Sequence, residues 1–224
     1  MAKHVLSVLD LGADNFKNLI QEGVKLSKDI NQFSGTLDGK IVGIYFRGYS
    51  TRTRTSFSVG ALKMGAKIIS YGPNDLQINT GETIEDTVKV LSSFIDALVI
   101  RTNDTIEEMN AMANQGKMSI INAMSENEHP TQIIGDFVTI INNLGSLEGK
   151  KILYIGEGNN TTEALANAVA LTPHLHLTIV TPEKYGLSEN TINKVSQLAK
   201  KSDAFIEQHH DLNSLKKEFD VIYT

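Results

Sequence analysis

Apolar residues in this chain come in short continuous runs, separated by longer stretches where they recur every three or four positions. The runs Ile41–Phe46, Lys67–Tyr71, Ala97–Arg101 and Ser119–Asn122 have strand length. Between them the spacing is helical, from Ala13 to Ile30, from Thr55 to Met64, from Thr83 onward and from Thr105 to Gly116. Ile84, Val88, Leu91 and Ile95 share one helix face, and Thr83 with Asp86 forms an N-cap pair. Thr105 and Glu108 have capping-box spacing, and Gly116 marks the stop. Apolar strands alternating with helices predict parallel βαβ units, their sheets covered on both faces.

After His129 the pattern becomes one long helix. Ile133, Ile134, Phe137, Ile140, Ile141 and Leu144 make a wide apolar face, and Gly145 is its C-terminal stop. A second series opens with the strand Lys151–Ile155 and the turn Gly156-Glu157-Gly158-Asn159-Asn160, with further strands at Leu175–Val180 and Asp220–Thr224. The expected fold is α/β, with two doubly wound parallel-sheet domains joined by the long helix. Their expected bounds are 1–149 and 150–224. The chain ends at Thr224 inside a strand-like run, and a buried parallel strand needs a following turn and helix to cover it. The second domain is therefore expected to be incomplete.

Composition narrows the function. The chain is 41% hydrophobic and 21% charged, with a net charge of −5, so no affinity for nucleic acid is expected. It has no cysteine, which removes disulfides and thiolate chemistry. No signal peptide is read from Met1-Ala2-Lys3-His4, and no run approaches the roughly eighteen apolar residues of a membrane helix. A cytoplasmic protein is expected.

Two motifs carry chemistry. Ser50-Thr51-Arg52-Thr53-Arg54 follows an apolar strand and opens a helix. It brings hydroxyls, two guanidinium groups and helix N-terminal N–H donors to one point, which suits an anion such as phosphate. It is not a Walker loop, because the Gly-x-x-x-x-Gly-Lys-Ser/Thr pattern is missing. His129-Pro130-Thr131-Gln132 stands at the start of the long helix, with Pro130 at its first position. An imidazole held there can donate to a carbonyl oxygen that gains charge under attack. Gln132, one turn on, can bind an NH2 through its amide oxygen. Arg101 ends a strand and belongs to the same sheet edge as Arg52. No histidine or carboxylate cluster of ligand spacing accompanies these residues, so no metal is expected.

The two motifs together resemble the aspartate/ornithine carbamoyltransferase family, and the likeness runs from the first helix to Val221-Ile222-Tyr223-Thr224. That family moves a carbamoyl group from carbamoyl phosphate to an amine. The resemblance implies that Ser50, Thr51, Arg52 and Thr53 bind phosphate, while Arg101, His129 and Gln132 hold the carbamoyl end. It implies a homotrimer with shared active sites, in which the loop Gln77–Glu82 reaches the neighbouring subunit. On spacing alone that loop is a plain connection. Gln77 matches the glutamine of the ornithine branch, and Thr80 stands where the aspartate branch carries lysine. The implied partners are carbamoyl phosphate and an ornithine-like amino acid or amine, with no cofactor and no membrane.

The second domain departs from the family pattern. Gly156-Glu157-Gly158-Asn159-Asn160-Thr161 replaces Gly-Asp followed by Arg-Asn-Asn. Asn160 is the candidate for the amino acid's backbone groups, with a register open by one residue. The aspartate that follows Tyr-Thr in the ornithine branch would come directly after Thr224. Two other readings stay open. Gly156 and Gly158 after a strand, with Glu183 after the next, suggest a dinucleotide-binding protein, although Thr161 replaces the third glycine. The chain could also be a non-catalytic carbamoyl-phosphate-binding subunit.

Overall fold

The computed structural model describes residues 4–215 and 218–224, excluding the side chains of Asn79, Gln115 and Ser214. Met1–Lys3, the start of the segment read above as no signal peptide, lie outside these residues. Among the described residues no helix is long and apolar enough to cross a membrane.

The chain divides into two compact units. One holds residues 1–7 and 25–131, the other 8–24 and 132–224. Both the first helix, α1 (Val8–Lys28), and the long helix, α5 (Pro130–Leu144), are divided between the units.

In the first unit, β1 (Ile41–Phe46), β2 (Lys67–Tyr71), β3 (Ala97–Arg101) and β4 (Ser119–Met124) form a parallel sheet in the order β2-β1-β3-β4. The helices are α2 (Arg52–Lys63), α3 (Ile84–Leu91) and α4 (Ile106–Gln115). Side chains alternate across the sheet. Tyr45, Leu98, Ile100 and Ile120 pack with Val88, Met109 and Met112 on one face. Val42, Ile44, Phe46 and Val99 pack with Ala61 and Phe57 on the other. Both faces of the central strands β1 and β3 are thus covered by apolar clusters, as their continuous apolar runs predict, while the edge strand β2 is largely exposed. The order reverses between β1 and β3, so the switch point lies where those two strands end.

The second unit contains β5 (Lys151–Ile155), α6 (Asn160–Ala170), β6 (His176–Val180), α7 (Glu189–Ala199), β7 (Phe205–His209) and β8 (Val221–Tyr223). Its sheet is also parallel, in the order β7-β6-β5-β8. Helix α6 is buried from Ala164 to Ala170, which its alanines permit at close range. Phe16 of α1 meets Phe137 of α5 edge to face at 5.8 Å.

A carboxylate does the same work in both sheets. Asp96, just before β3, accepts from Ile41 N (2.9 Å) and Lys40 Nζ (3.0 Å). Asp220, just before β8, accepts from Lys151 N (2.8 Å) and Lys150 Nζ (3.5 Å). Each ties the start of a late strand to the start of the strand beside it. The backbone bond holds each carboxyl below its usual range.

Several local expectations need correction. α2 begins at Arg52, not Thr55, so Arg52 and Thr53 lie in its first turn. α1 starts at Val8 and contains a break at Gly12 (φ 70°, ψ 165°), and it ends at Lys28 before a separate 3-10 turn at Ile30–Phe33. The Thr105 capping box does not form, because Glu108 pairs with Arg47 instead. The Thr83–Asp86 cap does form, with Asp86 N donating to Thr83 Oγ1 at 3.1 Å. β7 was not expected, and neither was α7. β7 is an edge strand with polar Glu207, Gln208 and His209, so it lacks the apolar run that marks its neighbours.

Gly158 shows how closely the second unit is packed. A Cβ there would stand 2.5 Å from Leu187 N and 2.6 Å from Gly186 C, both backbone atoms. Gly158→Ala is expected to destabilise the protein by about 1–3 kcal/mol, because backbone cannot yield as a side chain can. Denaturant unfolding checks this, and a midpoint equal to wild type would contradict the packing argument.

Candidate functional site

The sequence motifs of the first unit meet at the C-terminal edge of its sheet. Ser50–Arg54 follows β1, Arg101 ends β3 and His129 follows β4. β1 and β3 are neighbours, with Phe46 opposite Arg101, and the register shifts by one between Ile100 and Arg101 where β3 meets β4.

The start of α2 is left open. Its N-cap, Thr51, is itself in a helical conformation (φ −85°, ψ −58°) and makes no side-chain cap. The first intrahelical bond runs from Thr55 N to Thr51 O (3.1 Å), so the N–H groups of Arg52, Thr53 and Arg54 come before the ladder begins. Thr51 and Arg52 are exposed, while Ser50 and Thr53 are half-buried. Arg54 turns aside and donates to Ser70 Oγ at 2.6 Å. An uncapped helix start carrying Arg52 suits an anion by charge and by donor geometry.

Arg101 and His129 present buried polar atoms. Among the described residues, Arg101 Nε and His129 Nδ1 are two of three buried side-chain atoms without a hydrogen-bond partner. Burial lowers the Arg101 pKa, but a guanidinium keeps its charge under such conditions. Burial, then the Arg101 charge, lowers the His129 pKa from 6.5 to about 4. The imidazole is therefore neutral near pH 7, and offers one N–H donor and one acceptor.

The remaining candidates stand as follows. Gln77 opens a 3-10 turn, Gln77–Thr80, and its exposed side chain accepts from Thr80 Oγ1 at 2.5 Å. Gln132 lies in the first turn of α5 and donates from Nε2 to Asp136 Oδ1 at 3.0 Å. Asn160 is the first residue of α6, and the cap is Asn159, which accepts from Thr161 N (3.0 Å) and Thr162 N (3.2 Å). Asn159 is thus engaged as the cap of its own helix, while Asn160 Oδ1 accepts from Thr161 Oγ1 at 3.4 Å.

The dinucleotide reading meets two obstacles in this unit. Gly156 N donates to Val180 O and Gly158 N to Tyr185 O, and Asn159 takes two N–H groups of the α6 start, so four donors that a pyrophosphate would use in this turn are already engaged. A cavity of about 590 Å³ does open at this sheet edge, lined by Ile155, Val180, Tyr185, His210 and Asp211 among others. Among the described residues no lysine or arginine is in its lining.

The comparisons with known proteins place both halves of the chain in one family. The model described as aspartate/ornithine carbamoyltransferase, carbamoyl-P binding domain, matches residues 3–142. The Asp/Orn binding domain of the same family matches residues 148–224. The chain belongs to this carbamoyltransferase family. It is 35% identical to an ornithine carbamoyltransferase of Bacillus thuringiensis subsp. konkukian, over 99% of this chain and 69% of that one. It is 34% identical to one from Halalkalibacterium halodurans, over 99% and 70%. Among solved structures, the ornithine carbamoyltransferase of Pyrococcus furiosus aligns with a TM-score of 0.90 at 32% identity, covering 99% of this chain and 71% of that chain. The anabolic enzyme of Campylobacter jejuni aligns at 0.88 and 28%, covering 99% and 72%.

In this carbamoyltransferase-family chain, sequence reasoning missed the residues that brace the site. Arg47, directly after β1, is one. Its side chain donates to Glu108 (2.6 and 3.1 Å), to Tyr45 Oη (3.1 Å) and to Asp104, and its backbone N donates to Arg101 O (3.0 Å). Thr102 N and Glu126 N continue the stitching to Met124 O and Asp104 O. The network joins the ends of β1, β3 and β4. A half-buried arginine of this kind has no local signature, because its acidic partners Asp104 and Glu108 lie more than fifty positions away.

The neutral His129 is open to direct test. Imidazole NMR is expected to show it uncharged at pH 5.5, with a midpoint near 4. The unfolded chain then binds more protons between about 6.5 and about 4, so the stability tied to neutral His129 is full above 6.5 and is lost as pH falls toward 4. A midpoint near 6.5 would remove the desolvated environment from the argument.

Proposed function

We propose that this protein moves the carbamoyl group of carbamoyl phosphate to the amine of an ornithine-like amino acid, giving a ureido product and phosphate. The observation that carries this is the open N-terminus of α2, at the same sheet edge as Arg101 Nε and His129 Nδ1, two buried atoms without partners among the described residues. Family membership and relatives named ornithine carbamoyltransferase support it. In this reading residues 1–149 form the carbamoyl-phosphate domain and residues 150–224 belong to the amine domain, and the matches to 3–142 and 148–224 support that division.

Ser50, Thr51, Arg52 and Thr53 hold the phosphate by backbone N–H, hydroxyl and guanidinium groups. Arg101 and neutral His129 donate to the carbamoyl oxygen, and Gln132 accepts from the carbamoyl NH2. The neutral amine attacks the carbonyl carbon. The bond from that carbon to the phosphate oxygen breaks, and the nitrogen loses a proton to the departing phosphate. Arg101, His129 and Thr53 bind the oxyanion more tightly than the ground-state oxygen, so the rate comes from fixed dipoles and positioning. The reading calls for no metal or cofactor. Asn160 holds the amino acid's backbone groups. Gln77 and Thr80, ornithine-like against the aspartate branch, set the preference for a diamino acid.

Arg52→Ala is expected to abolish carbamoyl phosphate binding, and His129→Ala to lower turnover on the order of 10²–10³. Incubation with carbamoyl phosphate and a panel of amines tests both chemistry and substrate. Carbamoyl-aspartate as main product would refute the ornithine-like assignment. Binding without turnover of any amine would favour a non-catalytic subunit.

The same reading makes the protein a cytoplasmic homotrimer with shared active sites. Val59 and Leu62 of α2, and Val90 and Phe94 in and after α3, are exposed apolar side chains, as an association surface requires. Mixing inactive Arg52→Ala and Gln77→Ala proteins should restore some activity if sites are shared. No rescue, or an active monomer in sedimentation, would overturn this part.

A further inference from the structure

One hydrogen-bonded chain in the second unit has no part in the roles above. Asp136 lies one turn after Gln132 on α5. Its Oδ1 accepts from Gln132 Nε2 at 3.0 Å, and its Oδ2 accepts from Tyr223 Oη at 2.6 Å. Tyr223 is fixed in turn: it pairs with Tyr154 across β5 and β8, and the two rings lie 5.8 Å apart. Burial pushes the Asp136 carboxyl up, while the Tyr223 and Gln132 hydrogen bonds pull it down.

This matters because a glutamine amide has two unlike ends. Its oxygen accepts and its NH2 donates, and rotation by half a turn exchanges them. An ionised carboxylate only accepts. Facing Asp136, Gln132 must therefore present its NH2, and Oε1 is left pointing away. Among the described residues Gln132 makes no other side-chain hydrogen bond. Its free end is an acceptor, which suits a ligand NH2 and rejects a ligand carbonyl or phosphate oxygen.

We infer that Asp136 is a positioning residue, held by Tyr223, that fixes the amide of Gln132 so that its oxygen faces the carbamoyl NH2. The inference rests on the proposed carbamoyl role of Gln132. Tyr223 reaches Asp136 from a strand some ninety positions on in sequence, so the orientation of the amide depends on β8 being in register.

Asp136→Asn separates orientation from shape. Asparagine is nearly isosteric, and while its Oδ1 keeps accepting from Tyr223 Oη its NH2 faces Gln132, so the Gln132 amide is turned to present its oxygen to residue 136. Carbamoyl phosphate and inorganic phosphate are each titrated calorimetrically into wild type, Asp136→Asn, Gln132→Ala and the double variant. Inorganic phosphate lacks the NH2 and reads the α2 cradle alone. Asp136→Asn and Gln132→Ala are each expected to weaken carbamoyl phosphate by about tenfold, the scale of one hydrogen bond. Inorganic phosphate should stay within about twofold, and the double variant should bind no worse than Gln132→Ala, because Asp136 acts through Gln132. Three outcomes overturn the positioning role: unchanged carbamoyl phosphate binding in Asp136→Asn, equal weakening of both ligands, or losses that add in full. If Gln132→Ala itself binds carbamoyl phosphate normally, the carbamoyl role of Gln132 fails, and this inference fails with it.

Discussion

A helix begins with N–H groups that have no partner of their own, and the two sheets of this protein meet that deficit in opposite ways. In the second unit the start of α6 is closed. Asn159 accepts from two backbone donors, and its own N–H donates to Thr162 Oγ1 at 3.4 Å. In the first unit the start of α2 is open, although Ser50, Thr51 and Thr53 could each have supplied a capping oxygen. The chain there follows a helical Thr51, which directs its hydroxyl away from the cap. A cap at such a position is worth about 1 kcal/mol, so the open end carries a stability penalty. Its compensation is a set of donors ready for an anion.

That open end has to be held, and the brace comes from the next residues along the strand ends. Arg47 leaves β1 directly before the Gly48-Tyr49-Ser50 turn, and its guanidinium is tied to Glu108, Asp104 and Tyr45. Its backbone bond to Arg101 O ties the cradle side of the switch point to the Arg101 side. Partly buried charges of this kind are weak sources of net stability, since desolvation and solvent screening offset much of the attraction. What the network does supply is geometry: a displaced Arg47 would move the ends of three strands together. A site that works by positioning depends on such rigidity more than on any added contact.

The architecture was legible because buried parallel strands must be apolar throughout. Ile41–Phe46 and Ala97–Arg101 carry that pattern openly, and both were read to the residue. β7 was invisible for the converse reason. An edge strand with Glu207, Gln208 and His209 looks like a loop until β6 is placed beside it. Caps were legible where the acid was free to serve them, as at Thr83, and misread where tertiary pairing took the acid, as at Glu108. At the site, adjacent residues such as Ser50–Arg54 and His129–Gln132 were legible as motifs. Arg47, Asp136 and Tyr223 were not, because each acts on a partner distant in sequence or through a second side chain.

The electrostatic division of labour at the first sheet edge also follows from burial. A positive charge is useful against phosphate and against a developing oxyanion, but two adjacent cations in a desolvated place repel. Arg101 and His129 resolve this by residue type. The guanidinium is too basic to give up its proton when buried. The imidazole is not, and burial beside Arg101 holds it neutral down to a pH of about 4. The pair thus offers one fixed charge and one neutral donor, whose protonation does not vary across the pH range where an amine substrate titrates. Lysine in place of Arg101 would lose that security, because burial readily shifts an ammonium toward its neutral form. The different charge states of these two side chains therefore follow from desolvation, and the buried pair carries one cation where two would repel.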